Sequence, residues 1–330
     1  MDPAVSVITW QRHAGRAEEI AAALGGRAVH VHQHRLSGSA PRTLLRYALS
    51  AAVTAGHLAL RRPQGVIVTN PPVVPGVLAT AYGALTGRPV VLDSHPASFG
   101  AKDNAVARRL LPVHRAMARR AAAVMVTTQT WVREVDGWGG HGLVVHEAPP
   151  RWRVRPWRPS GSRPRVLFVG VFGGDEPVDV VFEAARLLPG VDVHVTGDPR
   201  RCPPHLRASL PANVRLVGFL GPDDYRSAVE EADALLVLTT EPTSVVRAGY
   251  EAVYARRALV VSDTPVLREV FPLAEHTANT SEGVAAALAR AVEAAPDGER
   301  LTSALELQEQ RWAGQLAALR TALRLDRAAA

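Results

Sequence analysis

Short apolar runs rich in Val and Ile recur along this chain, each separated from the next by a segment long enough for a helix. The first series comprises Val5–Ile8, Ala28–Val31, Gly65–Val68, Pro89–Leu92, Ala122–Val126 and Leu143–Val145. Runs that are apolar throughout, rather than at every second residue, belong to strands buried on both faces, and such strands are parallel and joined by crossover helices. From Ala148 to Arg163 the pattern stops in APPRWRVRPWRPSGSR, which has neither a strand nor a helix period and marks a domain boundary. The alternation then restarts, with Val166–Val169, Val191–Val195, Val214–Val217, Ala234–Leu238 and Ala258–Val261 as five further strands. Helices are predicted near 178–188, 223–231, 244–254 and 283–293, and the last segment, Leu301–Leu325, reads as a long amphipathic helix.

The fold class is therefore α/β, with two tandem Rossmann-like parallel-sheet domains. The expected organisation is an N-terminal domain over 1–150, a linker over 151–163, a second domain over 164–300, and a terminal helix over 301–330 that packs back toward the first domain. A length of 330 residues, 47% of them hydrophobic, suits two ordinary cores better than one oversized core.

Several chemistries are excluded. A nicotinamide site needs G-x-G-x-x-G after its first strand, but here that strand is followed by TWQRHAGR, with Gly15 alone. No G-x-x-x-x-G-K-[ST] occurs, and the one lysine, Lys102, lies outside any phosphate loop. There is no H-E-x-x-H and no D-x-D cluster at a strand end, so neither a metal nor another cofactor is expected. The net charge of +7 is carried almost wholly by arginine, which fits either a coding bias or an anionic partner surface, with no nucleic-acid motif. Arg108, Arg109, Arg115, Arg119 and Arg120 share one predicted helix, and Arg151, Arg153, Arg155 and Arg158 crowd the linker; each group is either a solvated face or a membrane-facing edge. The apolar helix Leu44–Leu60 contains Arg46 and His57 and is too short to span a bilayer, so it either lies against a membrane or is buried on the sheet. Cys202 is the sole cysteine and no signal peptide is visible, so the expected location is cytoplasmic, with peripheral contact at the inner membrane face open.

The most informative stretch runs from Ala234 to Glu269, ALLVLTTEPTSVVRAGYEAVYARRALVVSDTPVLRE. An apolar strand ends at Thr239 and Thr240, Thr243 or Ser244 is placed to cap a helix, and Glu251 falls two turns inside it. At the carboxyl edge of a parallel sheet this presents free N–H groups and a helix dipole to a diphosphate, while a carboxylate on the same helix can accept two hydrogen bonds from a ribose diol.

This stretch resembles glycosyltransferase family 4 of the GT-B class, whose members carry E-x7-E here, then a small residue and a Gly-x-Pro-Val-Val-x-Ser strand. Glu251, Ala252 and Arg257 to Asp263 follow that layout, while the first glutamate falls on Thr243, with Glu241 two residues early. The likeness continues in VLFVG (Val166–Gly170), VHVTGD (Val193–Asp198, with Gly197) and NVRLVGFLGPDDY (Asn213–Tyr225, with Phe219 and Leu220 bordering the base). It implies a GT-B fold with an interdomain cleft, in which Glu251 meets the donor ribose and Thr243, Ser244, Arg247, Gly249 and Gly170 surround the donor. The Arg and Lys that bind the diphosphate in the family are here Val171 and Glu176, so Arg247 is the first substitute candidate and Arg16, after Gly15, the second. In the first half, Val90–Pro96 resembles the strand and turn that bring a histidine to the donor sugar, which makes His95 the catalytic candidate. Asn70, with Pro71 and Pro72, ends another strand at that edge.

The expected function is transfer of a sugar from a nucleotide donor to an acceptor hydroxyl on a glycan, glycolipid or small molecule, retaining and independent of metal. The alternatives are a catalytically degenerate GT-B module that binds a sugar nucleotide or a partner transferase, and a UDP-sugar 2-epimerase.

Overall fold

In a computed structural model the described residues are 4–12, 14–33, 39–100, 105–150, 155, 161–295 and 298–327. Lys102, Arg151, Arg153, Arg158 and most of the expected linker lie outside them. The chain divides into two compact units, one formed by Met1–Ala148 with Arg311–Ala330, the other by Pro149–Gln310.

In the first unit the order along the chain is β1 (Val5–Thr9), α1 (Gly15–Ala23), β2 (Arg27–His30), α2 (Ala40–Arg61), β3 (Gly65–Asn70), α3 (Val73–Thr86), β4 (Val90–Ser94), α4 (Ala105–Arg120), β5 (Ala123–Val126), α5 (Gln129–Gly137) and β6 (Gly142–Val144). The strands form one parallel sheet in the order β2-β1-β3-β4-β5-β6. One face is covered by Ala17, Ile20 and Ala21 of α1 together with Trp312, Leu319 and Leu323 from the chain's end. On the other face lie Leu58, Ala79, Tyr82, Met117 and Trp138.

The second unit contains β7 (Arg165–Phe168), α6 (Val178–Leu187), β8 (Asp192–Thr196), α7 (Pro204–Ala208), β9 (Val214–Gly218), α8 (Pro222–Glu231), β10 (Ala234–Val237), α9 (Arg247–Tyr254), β11 (Ala258–Ser262), α10 (Pro265–Val270), β12 (Glu275–Thr277), α11 (Ser281–Ala294) and the start of α12 (Gly298–Ala322). Its sheet is also parallel, in the order β12-β11-β10-β7-β8-β9. Phe182, Val284 and Leu288 fill one side of it, and Leu235, Tyr250, Leu267 and Phe271 the other.

Two local differences from the sequence reading matter. The helix expected from Ser244 starts only at Arg247, with Val246 as an extended cap at φ −84°, ψ 130° and no side-chain capping bond. Val245 and Val246 pack against the core of the second unit, and two β-branched residues anchored in this way hold the segment extended. Glu251 is thus one turn inside the helix, not two. Gly249 has a packing reason of its own: a Cβ there would lie 2.6 Å from the Phe271 ring, so only glycine lets α9 rest on that ring.

Candidate donor site and its supports

In an open parallel sheet the crevice for a ligand opens at the carboxyl ends of the strands where the winding direction switches. In the second unit that point lies between β7 and β10. The turn after β7 is drawn against the turn after β8: Gly170 N–H donates to Thr196 Oγ1 at 3.0 Å, and the same hydroxyl donates back to Gly170 O at 2.8 Å. Gly197 has φ +101°, and a Cβ on it would lie 2.9 Å from Gly170 O. Both its conformation and this close approach require glycine.

The next residues of the turn point their amides at one carboxylate. Val171 N–H lies 3.0 Å from each oxygen of Glu176, and Gly173 N–H donates to Glu176 Oε2 at 3.1 Å. Where the family resemblance implies a basic group, this chain has an internal anion held in a cradle of backbone donors. Asp175 ties the same turn to β10: its carbonyl accepts from Thr240 N–H at 2.8 Å, and its carboxylate accepts from the Thr239 hydroxyl at 3.4 Å.

Beyond β10, Glu251 is 8% exposed. Its Oε1 accepts from Arg247 Nε at 2.8 Å and its Oε2 from the Tyr225 hydroxyl at 2.6 Å. An ionised carboxylate has about four lone-pair sites, so these bonds orient the group without exhausting its capacity to accept. Burial, and then the adjacent Glu251 carboxylate, push the Tyr225 hydroxyl far above the usual phenol range, which fixes it as a neutral donor. Tyr225 was not singled out from the sequence; it stands on α8, 26 residues away, and no spacing links it to Glu251. Arg247 is about a third exposed. Thr243 donates to Glu241 Oε1 at 3.4 Å, and Ser244 N–H donates to Glu241 O at 3.2 Å, so neither caps α9. Phe219, 83% exposed, follows Gly218 at φ +83°, whose carbonyl accepts from Gly197 N–H at 3.0 Å, and Leu220 beside it is half-buried.

In the first unit the expected residues take different parts. Gly15 opens α1, but Arg16 is buried and fully committed. It pairs with Asp93 at 3.2 Å and Glu147 at 2.9 Å and donates to the carbonyls of Val145 and His146. It stitches β4 to the segment after β6, and its expected role as a phosphate ligand is replaced by this structural one. Asn70 is fully buried, its carbonyl accepting from His95 N–H at 2.9 Å. His95 itself is half-buried at the end of β4, where it caps a short 3-10 turn over Pro96–Phe99.

That turn rests on a chain of buried hydrogen bonds. His114 Nδ1 lies 3.1 Å from the Ser98 carbonyl, which can only accept, so Nδ1 carries the proton. Nε2 then accepts from the Ser94 hydroxyl at 3.0 Å, and Ser94 Oγ accepts from Asn70 Nδ2 at 3.3 Å. Burial lowers the His114 pKa to about 4, opposed in part by the bond to Ser98. Because the folded value is below the unfolded one, this contribution is fully present above about pH 6.5 and is lost as pH falls toward 4. The loss amounts to about 3 kcal/mol at its fullest. His114→Gln should flatten the fall in melting temperature between pH 7.5 and 4.5. A variant that keeps the wild-type slope would remove His114 as its source.

Residues 4–150 match the family model described as a glycosyl transferase 4-like domain. That match covers the first unit, and the two parallel sheets together have the GT-B fold. Sucrose-phosphate synthase from Thermosynechococcus elongatus superposes with a TM-score of 0.71 at 14% identity, covering 100% of both chains. HepE of Anabaena, in complex with UDP and glucose, gives 0.69 at 13% identity over 98% of this chain and 99% of its own. A putative UDP-N-acetylglucosamine 2-epimerase from Listeria monocytogenes gives 0.63 at 12% identity over 92% and 91%. No curated protein sequence matches the chain.

Proposed function

We propose that this protein is a family 4-like glycosyltransferase that moves a sugar from a UDP-linked donor to an acceptor hydroxyl on a glycan, glycolipid or small molecule, with retention at the anomeric carbon and without a metal ion. The observation that carries this reading is the buried Glu251 carboxylate at the switch point of the second sheet, oriented by Arg247 and Tyr225. Such a group accepts from both hydroxyls of a ribose. Arg247, in the first turn of α9, would share its charge with the departing diphosphate, and the helix dipole would add about half a unit charge. Charge compensation on the diphosphate would then fall to arginine and the helix dipole. His95 would accept from or donate to a sugar hydroxyl near the reacting centre. UDP is the favoured base because HepE is seen with UDP and with UDP-glucose, and a structural neighbour from Burkholderia xenovorans is a UDP-forming trehalose-phosphate synthase.

The test is a thermal-shift series with UDP, GDP, ADP and dTDP, followed by UDP release from UDP-sugars in excess chelator. UDP at about 100 times its dissociation constant should stabilise by about 2.7 kcal/mol. A different nucleotide winning would overturn the base, and activity that vanishes and returns with magnesium would overturn the metal-free reading. The second reading, a module that binds a sugar nucleotide without turnover, is favoured by Glu176, whose negative charge fills the amide cradle after β7. Glu176→Ala should therefore tighten UDP binding several-fold while leaving uridine binding unchanged. Equal UDP affinity in the two proteins would place the diphosphate away from this turn.

A further inference from the structure

The outer surface of α2 is built the wrong way round for a helix that serves only its own core. Toward the sheet it presents Ser50, Thr54 and Leu58; Thr54 Oγ1 accepts from Trp10 Nε1 at 2.9 Å, and His57 Nε2 lies 3.0 Å from the Ser6 hydroxyl. Toward solvent it presents Leu44 (74% exposed), Leu45, Leu49, Val53 and Leu60 (84%). Leu45, Leu49 and Val53 follow at steps of four, and Leu60 seven further on, so they form one stripe along a helix roughly 33 Å long at 1.5 Å per residue. The neighbouring α3 extends this surface with Val77 and with Leu85, which is 88% exposed. Between the two helices lies an open groove of about 540 Å³, lined by Leu58, Leu78, Tyr82 and Leu85 with Arg62 and Arg88. Seven of the thirteen exposed large apolar side chains among the described residues fall on these two helices. A contiguous apolar patch of this kind on a soluble protein marks a contact surface.

The charge pattern says what the contact is. No Asp or Glu occurs between Glu19 and Asp93, in a chain that has 31 of them, while the same stretch contains seven arginines. Arg42, Arg46, Arg61, Arg62 and Arg88 lie on or beside α2 and α3, so the apolar stripe is bordered by positive charge and by no negative charge from its own segment. A helix with an apolar face flanked by arginine is suited to the boundary between anionic headgroups and acyl chains. Among the described residues no helix is long and apolar enough to cross a membrane. The arginine-rich α4 is a weaker candidate, because Arg115 lies over the Trp138 ring and Arg119 donates to the Trp138 carbonyl.

We propose that the α2–α3 face binds the surface of an anionic lipid bilayer, with Leu45, Leu49, Val53 and Leu60 entering the acyl boundary and the bordering arginines meeting lipid phosphates. This surface is independent of the donor-site reading, so either can fail alone.

The experiment is flotation of the full chain with vesicles of phosphatidylcholine containing 30% phosphatidylglycerol, against phosphatidylcholine alone, at several salt concentrations. The wild type should partition at least tenfold more strongly to the anionic vesicles, and the preference should fall with salt. Leu45→Ser/Leu49→Ser/Val53→Ser should lower binding at least tenfold with an unchanged melting temperature, because these side chains are already exposed. Arg42→Gln/Arg46→Gln should lower binding to anionic vesicles selectively, and it keeps the proposal testable if the triple variant does not fold. UDP-induced thermal shifts on the same samples separate loss of this surface from loss of the donor site. Wild-type protein that ignores anionic vesicles, or equal binding by wild type and variants, overturns the proposal. So does a wild type that dimerises through this face in gel filtration, with the triple variant a monomer.

Discussion

Deleting residues 314–330 should unfold the first unit, although every strand of its sheet lies at least 169 residues upstream of the cut. The reason is the second half of α12 and the turn after it. Leu319 is fully buried and Leu323 nearly so, both in the same core as Val5, Ile20 and Ile67. Leu323 also seats directly on the start of β3, where a Cβ on Gly65 would come within 3.0 Å of it, and Gln315 Oε1 accepts from His146 N–H at 2.8 Å. Removing one buried leucine side chain costs about 2–5 kcal/mol, and a domain as a whole is stable by only about 5–15 kcal/mol. Losing both leucines and the face around them takes most of that margin. Calorimetry of the truncated chain should show the first-unit transition lost or shifted far down, and Leu319→Ala alone should show a loss of about 2–5 kcal/mol. A truncated protein that melts like the full chain would show that this helix adds nothing to the first core.

Glu251→Gln should weaken nucleoside diphosphate binding by about 1.5–3 kcal/mol, the range for hydrogen bonds to a charged group, or roughly ten- to 150-fold. Tyr225 can still donate to the amide oxygen, so the fold should persist. The pairing of Arg247 with Glu251 adds a second expectation. If Arg247 served only the diphosphate, Arg247→Ala would spare nucleoside binding; because its Nε also orients Glu251, nucleoside binding should weaken too, though less than diphosphate binding. Titration calorimetry with uridine and UDP separates the two contributions. Unchanged UDP affinity in folded Glu251→Gln would remove this carboxylate from the site.

The backbone plan was legible because apolar runs spaced by helix-length segments mark parallel strands, and the eleven runs correspond to β1 through β11, although the edge strands β2 and β6 are only partly buried. β12 left none: Glu275–Thr277 is a three-residue edge strand of sequence EHT, paired on one side only and too short and polar to register as a run. The start of α9 was misplaced because Thr243 and Ser244 are good capping residues by type, whereas burial of Val245 and Val246 decided the matter. Side-chain roles were less legible than strands. Arg16 sits beside a glycine near a strand end, as a phosphate ligand would, yet its partners Asp93 and Glu147 are 77 and 131 residues away and only the fold brings them to it. Glu176 was noted as a departure from the family pattern; that its carboxylate collects the amides of Val171 and Gly173 is a matter of turn geometry, which spacing does not encode.

The discontinuous composition of the first unit bears on how this chain can be recombined with its relatives. A chimera spliced once near residue 150, the natural choice if the second unit is to be exchanged, would bring Trp312, Leu319 and Leu323 from one parent against β1, α1 and β3 from another. Protein cores pack at crystal-like density, so mismatched side-chain volumes across such a surface destabilise it. A workable exchange therefore needs two crossovers, one near 149 and one near 310, so that the terminal helix half travels with the strands it covers.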